Sequence, residues 1–198
     1  MNGLGKVSLL TLVLSLLAVF CWAEEFSGRV VAVKDGDTIE VLHSFKAERI
    51  RLADIDCPEM GQPFGNLAKQ LTGNLVFGKD VLIKSTGKDR YGRTIGEIFV
   101  DGMSVGEELV KNGAAWWYQK YSSNSKLSEL EREARHRKCG LWVEKNPMPP
   151  WDWRTQKKNR SKNKVDDGQR PKSENVNIWH SKSGSSIARP PGVPPGLH

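Results

Sequence analysis

Cysteine and histidine are scarce: the 198 residues hold three Cys and four His. Cys57 and Cys139 are too far apart in the chain to form a recognisable disulfide framework, and a bridge between them stands level with two separate thiols. His43, His136 and His180 keep no spacing that suits zinc. No internal repeat runs through the chain, which argues against a solenoid or propeller. Acidic residues are missing from the first 23 positions, MNGLGKVSLLTLVLSLLAVFCWA, which carry one Lys, an apolar run from Val7 to Phe20 and small Ala23 just before Glu24 and Glu25. That pattern predicts a signal peptide over 1–23, cleaved near Ala23, and a secreted or periplasmic protein. A retained membrane anchor is the alternative reading. Lipid attachment at Cys21 is disfavoured because bulky Phe20 stands where a small residue belongs. Cleavage removes Cys21 and delivers the other two cysteines to an oxidising compartment.

Apolar residues are sparse again at the other end. Residues 154–198 carry ten Lys or Arg against three acids, whereas residues 24–153 carry nineteen against twenty, so the net charge of +7 belongs to the tail. KKNRSKNK, DDGQRPKSENVN and ARPPGVPPGLH are rich in Pro, Gly, Ser, Asn and Lys, a composition that predicts a disordered tail over 154–198. Such a tail can hold a polyanion without reading its sequence, or simply keep the protein soluble.

What lies between is one domain of ordinary size, 24–153. Ser27 to Val33, Thr38 to Leu42, Glu48 to Ala53, Asp80 to Ser85 and Thr94 to Val100 read as five short strands. The spacing of Asn66, Leu67, Ala68, Leu71, Leu75 and Val76 predicts a helix stopped by Gly78. Ser104 caps a second helix through Val110, and a third runs from about Lys126 to Lys138, with Leu127, Leu130 and Ala134 on one face. The predicted fold is α+β: a closed, antiparallel five-stranded OB-fold β-barrel with three helices.

Three polar motifs interrupt these elements. DGDT at 35–38 sets Asp37 past a strand-to-strand turn, and IDCPE sets Asp56 and Glu59 past the end of the third strand. Asp-Gly is also an ordinary hairpin signal, so DGDT alone means little. If the first three strands are neighbours, the carboxylates converge, and with a backbone carbonyl and waters they suit a hard cation such as Ca²⁺ or Mg²⁺. Arg51 precedes Asp56 by five residues, and Arg93 ends the polar DRYGR loop. A guanidinium holds phosphate bidentately, although either Arg taken singly reads as a solvated strand residue or an ion-pair partner. Together, a cation, Arg51, Arg93 and Glu59 are the parts for attack of water on a phosphodiester, with Glu59 orienting or deprotonating the water. In the aromatic run WWYQKY, Tyr118 or Tyr121 can stack on a base, while Trp116 and Trp117 read equally as packing residues.

DGDT, RLADIDCPE, DRYGR and the helix ending in CGLW, in this order and spacing, resemble the staphylococcal nuclease, or thermonuclease, family over about Gly28 to Trp142. The resemblance implies a five-stranded OB barrel with three helices, and a monomeric, Ca²⁺-dependent secreted or periplasmic nuclease that cleaves DNA and RNA to leave 3′-phosphate ends. It implies Asp37 and Asp56 as carboxylate ligands of Ca²⁺, with Cys57 giving only its main-chain carbonyl. It implies catalytic roles for Arg51, Glu59 and Arg93, a nucleotide-pocket role for Tyr91, and a supporting hydroxyl at Thr38. Cys57 departs from the Thr common at that position. The rival reading is a noncatalytic OB-fold module that binds nucleic acid, which would have no use for Asp37, Asp56, Glu59, Arg51 and Arg93 together.

Overall fold

A computed structural model describes residues 24–168, with side chains through Lys162. The signal peptide expected over 1–23 and the tail beyond Gly168 lie outside the described residues. Five long strands make the barrel: β1 (Glu24–Val33), β2 (Thr38–His43), β3 (Lys46–Leu52), β5 (Asp80–Lys88) and β6 (Thr94–Val100). Two-residue strands β4 (Ile55–Asp56), β7 (Met103–Ser104) and β8 (Trp116–Trp117) are accessory. The order β3-β2-β1-β5-β6 is closed by β3 against β6, giving the five-stranded OB-like barrel that the sequence predicts. One detail differs from the expected antiparallel barrel. The closing pair runs parallel, Ile50 beside Thr94 and Leu52 beside Gly96, because four successive antiparallel pairings leave the first and last of five strands pointing the same way.

The barrel holds together through strand alternation. Along β6, Thr94, Gly96, Ile98 and Val100 are buried while Ile95, Glu97 and Phe99 are not, and Val30, Ile39, Val41, Ile50, Ile83 and Ile98 meet inside. Such burial is worth about 1.5–3 kcal/mol for each large aliphatic side chain.

Helix α1 (Gly65–Val76) buries Gly65, Ala68, Thr72 and Val76 and packs Leu71 and Leu75 against the core, whereas Leu67 is exposed. Small residues face inward because α1 lies directly on the DGDT turn. A Cβ at Gly36 would fall 2.7 Å from Cys57 Cβ and 2.8 Å from Ala68 Cβ, and Thr72 Oγ1 donates to the Gly36 carbonyl. Helix α2 (Val105–Lys111) is capped by Ser104, whose Oγ accepts from the Glu107 N–H. Helix α3 (Ser125–His136) buries Leu127, Glu131 and Ala134. A short 3₁₀ turn follows over Gly140–Val143.

Residues 150–168 form a fourth helix, α4 (Pro150–Gly168), where the sequence predicts disorder from residue 154. Pro150 suits a first helical turn and Asp152 complements the helix dipole there. Anchorage comes from Trp151, which lies parallel to Tyr118 with centroids 5.3 Å apart and edge-on to Trp116 at 5.6 Å. The chain divides into two compact units after Asn159, within α4, and the first holds the barrel, helices α1 to α3 and the start of α4. Among the described residues no helix is long and apolar enough to cross a membrane.

Candidate active site

The DGDT turn, the segment after β3 and the start of α1 meet at one end of the barrel. DGDT is both a hairpin turn and a scaffold: the Lys34 N–H donates to the Thr38 carbonyl, and the Leu52 N–H donates to the Asp37 carbonyl, joining the turn to β3. The Asp37 carboxylate is buried and fully engaged. Its Oδ2 accepts from the Cys57 N–H at 2.8 Å and from Arg51 Nη1 at 2.7 Å, and its Oδ1 accepts from Thr38 Oγ1 at 3.2 Å. The neighbouring Asp35 carboxyl, whose Oδ1 accepts from the Asp37 N–H, is pushed up to about 6 by burial and by the charge of Asp37.

Asp56 is held by main chain on the far side. The β4–β8 pair sets Asp56 opposite Trp116 and Ile55 opposite Trp117, and the Tyr118 N–H donates to the Asp54 carbonyl at 2.8 Å. The WWY run therefore buttresses the acidic loop. Glu131 supports it in turn by accepting from the Trp117 N–H at 2.7 Å.

Arg51 lies across both carboxylates: Nη1 reaches Asp37 Oδ2 at 2.7 Å and Nη2 reaches Asp56 Oδ1 at 2.9 Å. Burial opposes its charge, but Asp37 and Asp56 outweigh that and hold the guanidinium more firmly protonated than usual. For Asp56 the balance falls the other way. Burial raises its carboxyl above the ordinary value, despite the two arginines that touch it.

Glu59 sits in a turn fixed by Gln62, whose Oε1 accepts from the Glu59 N–H at 3.0 Å while its Nε2 donates to the Met148 carbonyl at 2.7 Å. Gly65 is required at this turn, since a Cβ there would meet the Glu59 carbonyl oxygen at 2.1 Å. Arg93 reaches the group from the β5–β6 loop. Its Nε donates to Asp89 Oδ2 at 2.7 Å and its Nη1 lies 3.5 Å from Thr38 Oγ1, so Thr38 stands between Arg93 and Asp37.

The sequence-selected residues thus divide into two groups. Asp37, Arg51, Asp56, Cys57 and Glu59 come together, with Arg93 joined through Thr38. The tyrosines lie further out. Tyr91 is 69% exposed beside Arg90 and Arg93, Tyr121 is exposed with its ring edge-on to Tyr118, and the face of Tyr118 is taken by Trp151. Cys57 and Cys139 are free thiols, and burial pushes the Cys57 thiol well up. Packed near Gly36, the Cys57 side chain is part of the core.

One member was not selected from the sequence at all. Arg154 of α4 donates from Nη2 to Asp56 Oδ2 at 2.7 Å, and from Nη1 to Glu59 Oε1 at 2.7 Å and Asp56 Oδ1 at 3.2 Å. The signal that could have found it is PPWDWR, where two prolines and two tryptophans precede the Arg in what otherwise reads as polar tail.

Among the described residues no group of three or more His, Cys, Asp or Glu side chains is arranged to hold a metal ion. The chemistry of the donors nonetheless fits a hard cation. Asp37 and Asp56 offer only carboxylate oxygens, brought close enough to share one guanidinium, and main-chain oxygen and water can complete such a sphere.

Residues 49–144 match the family model described as staphylococcal nuclease homologue. The chain is 46% identical over 145 residues to an uncharacterized endonuclease of Escherichia coli O157:H7, a match covering 71% of this chain and 95% of that protein. It is 39% identical over 158 residues to a micrococcal nuclease of Shigella flexneri, covering 74% of this chain and 90% of the relative. A staphylococcal-like nuclease of Arabidopsis thaliana shares 41% identity over 113 residues, 57% of this chain and 35% of the longer plant protein. With that identity running over nearly the full length of the first relative, and with the family's acidic and arginine motifs gathered at one end of an OB-like barrel, the chain belongs to the staphylococcal nuclease homologue family.

Proposed function

We propose that this chain is an exported, monomeric, Ca²⁺-dependent nuclease that hydrolyses phosphodiester bonds of DNA and RNA and leaves 3′-phosphate ends. The observation that carries the reading is the Arg51 bridge between Asp37 and Asp56 with the Glu59 carboxylate beside it. A module that only binds a strand gains nothing from burying two carboxylates around one guanidinium and setting a third at the surface beside them.

Asp37, Asp56 and the Cys57 carbonyl would hold Ca²⁺, which when bound would neutralise charge on the scissile phosphate as a Lewis acid. Glu59, partly exposed at 39% of its side chain, accepts a proton from water as the water oxygen bonds to phosphorus. The bond from phosphorus to the 5′ oxygen breaks, that oxygen takes a proton from solvent, and the phosphate stays on the 3′ side. Arg51 and Arg93 present fixed positive charge to the oxygens on which charge accumulates. Tyr91, exposed next to Arg93, offers a ring to the adjoining nucleotide.

Cleavage of single- and double-stranded DNA and of RNA, followed with Ca²⁺ and then with chelator, tests the reading. Glu59→Gln is expected to keep nucleic-acid binding while slowing turnover by about 100- to 10,000-fold. Turnover near wild type would remove Glu59 as the base, undiminished cleavage in chelator would remove the cation, and 5′-phosphate products would reverse the bond assignment.

A further inference from the structure

Asp56 carries a guanidinium on each side. Arg51 takes Oδ1 from β3 of the barrel, and Arg154 closes over Oδ2 and Oδ1 from α4 while also taking Glu59 Oε1. A hard cation bound by Asp56 sits about 2.3–2.6 Å from a carboxylate oxygen. The Arg154 nitrogen already stands 2.7 Å from Oδ2, and two positive groups cannot share that approach without strong repulsion. Something must move, and exposure says which group. The Asp56 side chain is 1% exposed and that of Arg51 15%, whereas that of Arg154 is 42% exposed and reaches in from outside the barrel.

We propose that Arg154 is a positioning residue that stands in the cation's place at Asp56: it holds the Asp56 and Glu59 carboxylates in the cation-free protein, competes with the divalent cation for Asp56, and yields when the cation binds. The inference rests on the Ca²⁺ reading above. Only the side chain has to move, because the start of α4 is fixed independently by Trp151 against Tyr118 and Trp116 and by the Gln62 bond to the Met148 carbonyl. Arg154 lies ten residues beyond the segment matched by the family model, so the competition comes from chain added to the barrel. Its consequence is a higher cation concentration for filling the site than the carboxylates alone would need.

The experiment is calorimetric titration of the purified full chain with CaCl₂, without nucleic acid, for wild type, Arg154→Ala and Arg154→Gln, together with thermal unfolding in chelator and in saturating Ca²⁺. Both variants are expected to bind Ca²⁺ about tenfold more tightly than wild type. Each should unfold at a lower temperature than wild type in chelator, and the gap should narrow in Ca²⁺, because the cation supplies the charge that the Arg supplied. A purely structural role for Arg154 would leave the gap constant. Equal or weaker Ca²⁺ binding in both variants overturns the competition and leaves the Ca²⁺ reading standing. Absence of Ca²⁺ binding in all three proteins overturns both.

Discussion

The two arginines that meet on Asp56 come from opposite kinds of structure. Arg51 lies on β3, paired in register with Thr38 on β2 and Ile95 on β6, and its side chain is nearly buried. Arg154 lies on a polar helix docked through Trp151, and its side chain is nearly half exposed. Both make bonds of 2.7 Å to carboxylate oxygen, so length does not distinguish them. Surroundings do. Removing Arg51 leaves buried charge uncompensated in low dielectric, whereas Arg154 can swing into water and leave Asp56 still paired with Arg51. The site therefore has a fixed wall built by the barrel and a yielding wall added by α4.

Removing the fixed wall should give the largest effect. Arg51→Ala leaves Asp37 and Asp56 facing each other, and is expected to destabilise the cation-free fold by about 3 kcal/mol and to slow cleavage by about 100- to 1,000-fold. Arg51→Lys keeps the charge but cannot bridge two carboxylates with a fork, so it should recover much of the stability and little of the activity. Denaturant unfolding in chelator and single-turnover cleavage measure the two halves. Full activity in the Lys variant would show that charge alone suffices and would erase the difference between the walls.

The yielding wall is broken most cleanly at its anchor. Trp151→Ala removes the ring stacked on Tyr118 and should cost about 1–2 kcal/mol, less than a fully buried Trp because Trp151 remains partly exposed. Without its anchor α4 presents Arg154 less often, so this variant should share the tighter Ca²⁺ binding expected of Arg154→Ala although position 151 touches no carboxylate. Calcium titration of the double variant sharpens the point: the two changes should not add, since both remove the same guanidinium.

The same contrast sets how much of the molecule was legible beforehand. The barrel strands show their alternation directly, and Asp37, Arg51, Asp56 and Glu59 cluster in sequence around strand ends, so their convergence follows once β1, β2 and β3 pair. Other features depend on contacts that the local pattern does not encode. The inward face of α1 is Ala68 and Thr72 rather than Leu67, because Gly36 and Cys57 leave room only for small residues. Arg154 meets Glu59 across 95 positions of chain, and its helix has too little apolar surface to be read from periodicity. Trp151 and Trp153 were the available signal, and they end one residue before the Arg that matters.

The smallest effect belongs to the third arginine, on the open side. Asp89 accepts from the Tyr91 N–H at 2.8 Å, from the Arg93 N–H at 3.0 Å and from Arg93 Nε at 2.7 Å. Burial opposes its charge, but these bonds and the Arg93 charge together outweigh it and lower the carboxyl below its ordinary value. A carboxyl lowered in the folded state contributes stability that is complete above its unfolded pKa and is lost as pH falls through the folded one. Asp89→Asn should therefore lower the unfolding temperature by only about 1–2 °C at pH 7. That gap should close as the pH drops below the carboxylate range, where wild type loses the same charge. The variant should also bind nucleic acid a few-fold more weakly at neutral pH, since Arg93 keeps its charge and loses the partner that aims it. A gap that persists at acid pH would mean that Asp89 holds the loop by shape rather than charge, and Arg93 would then belong with the fixed wall.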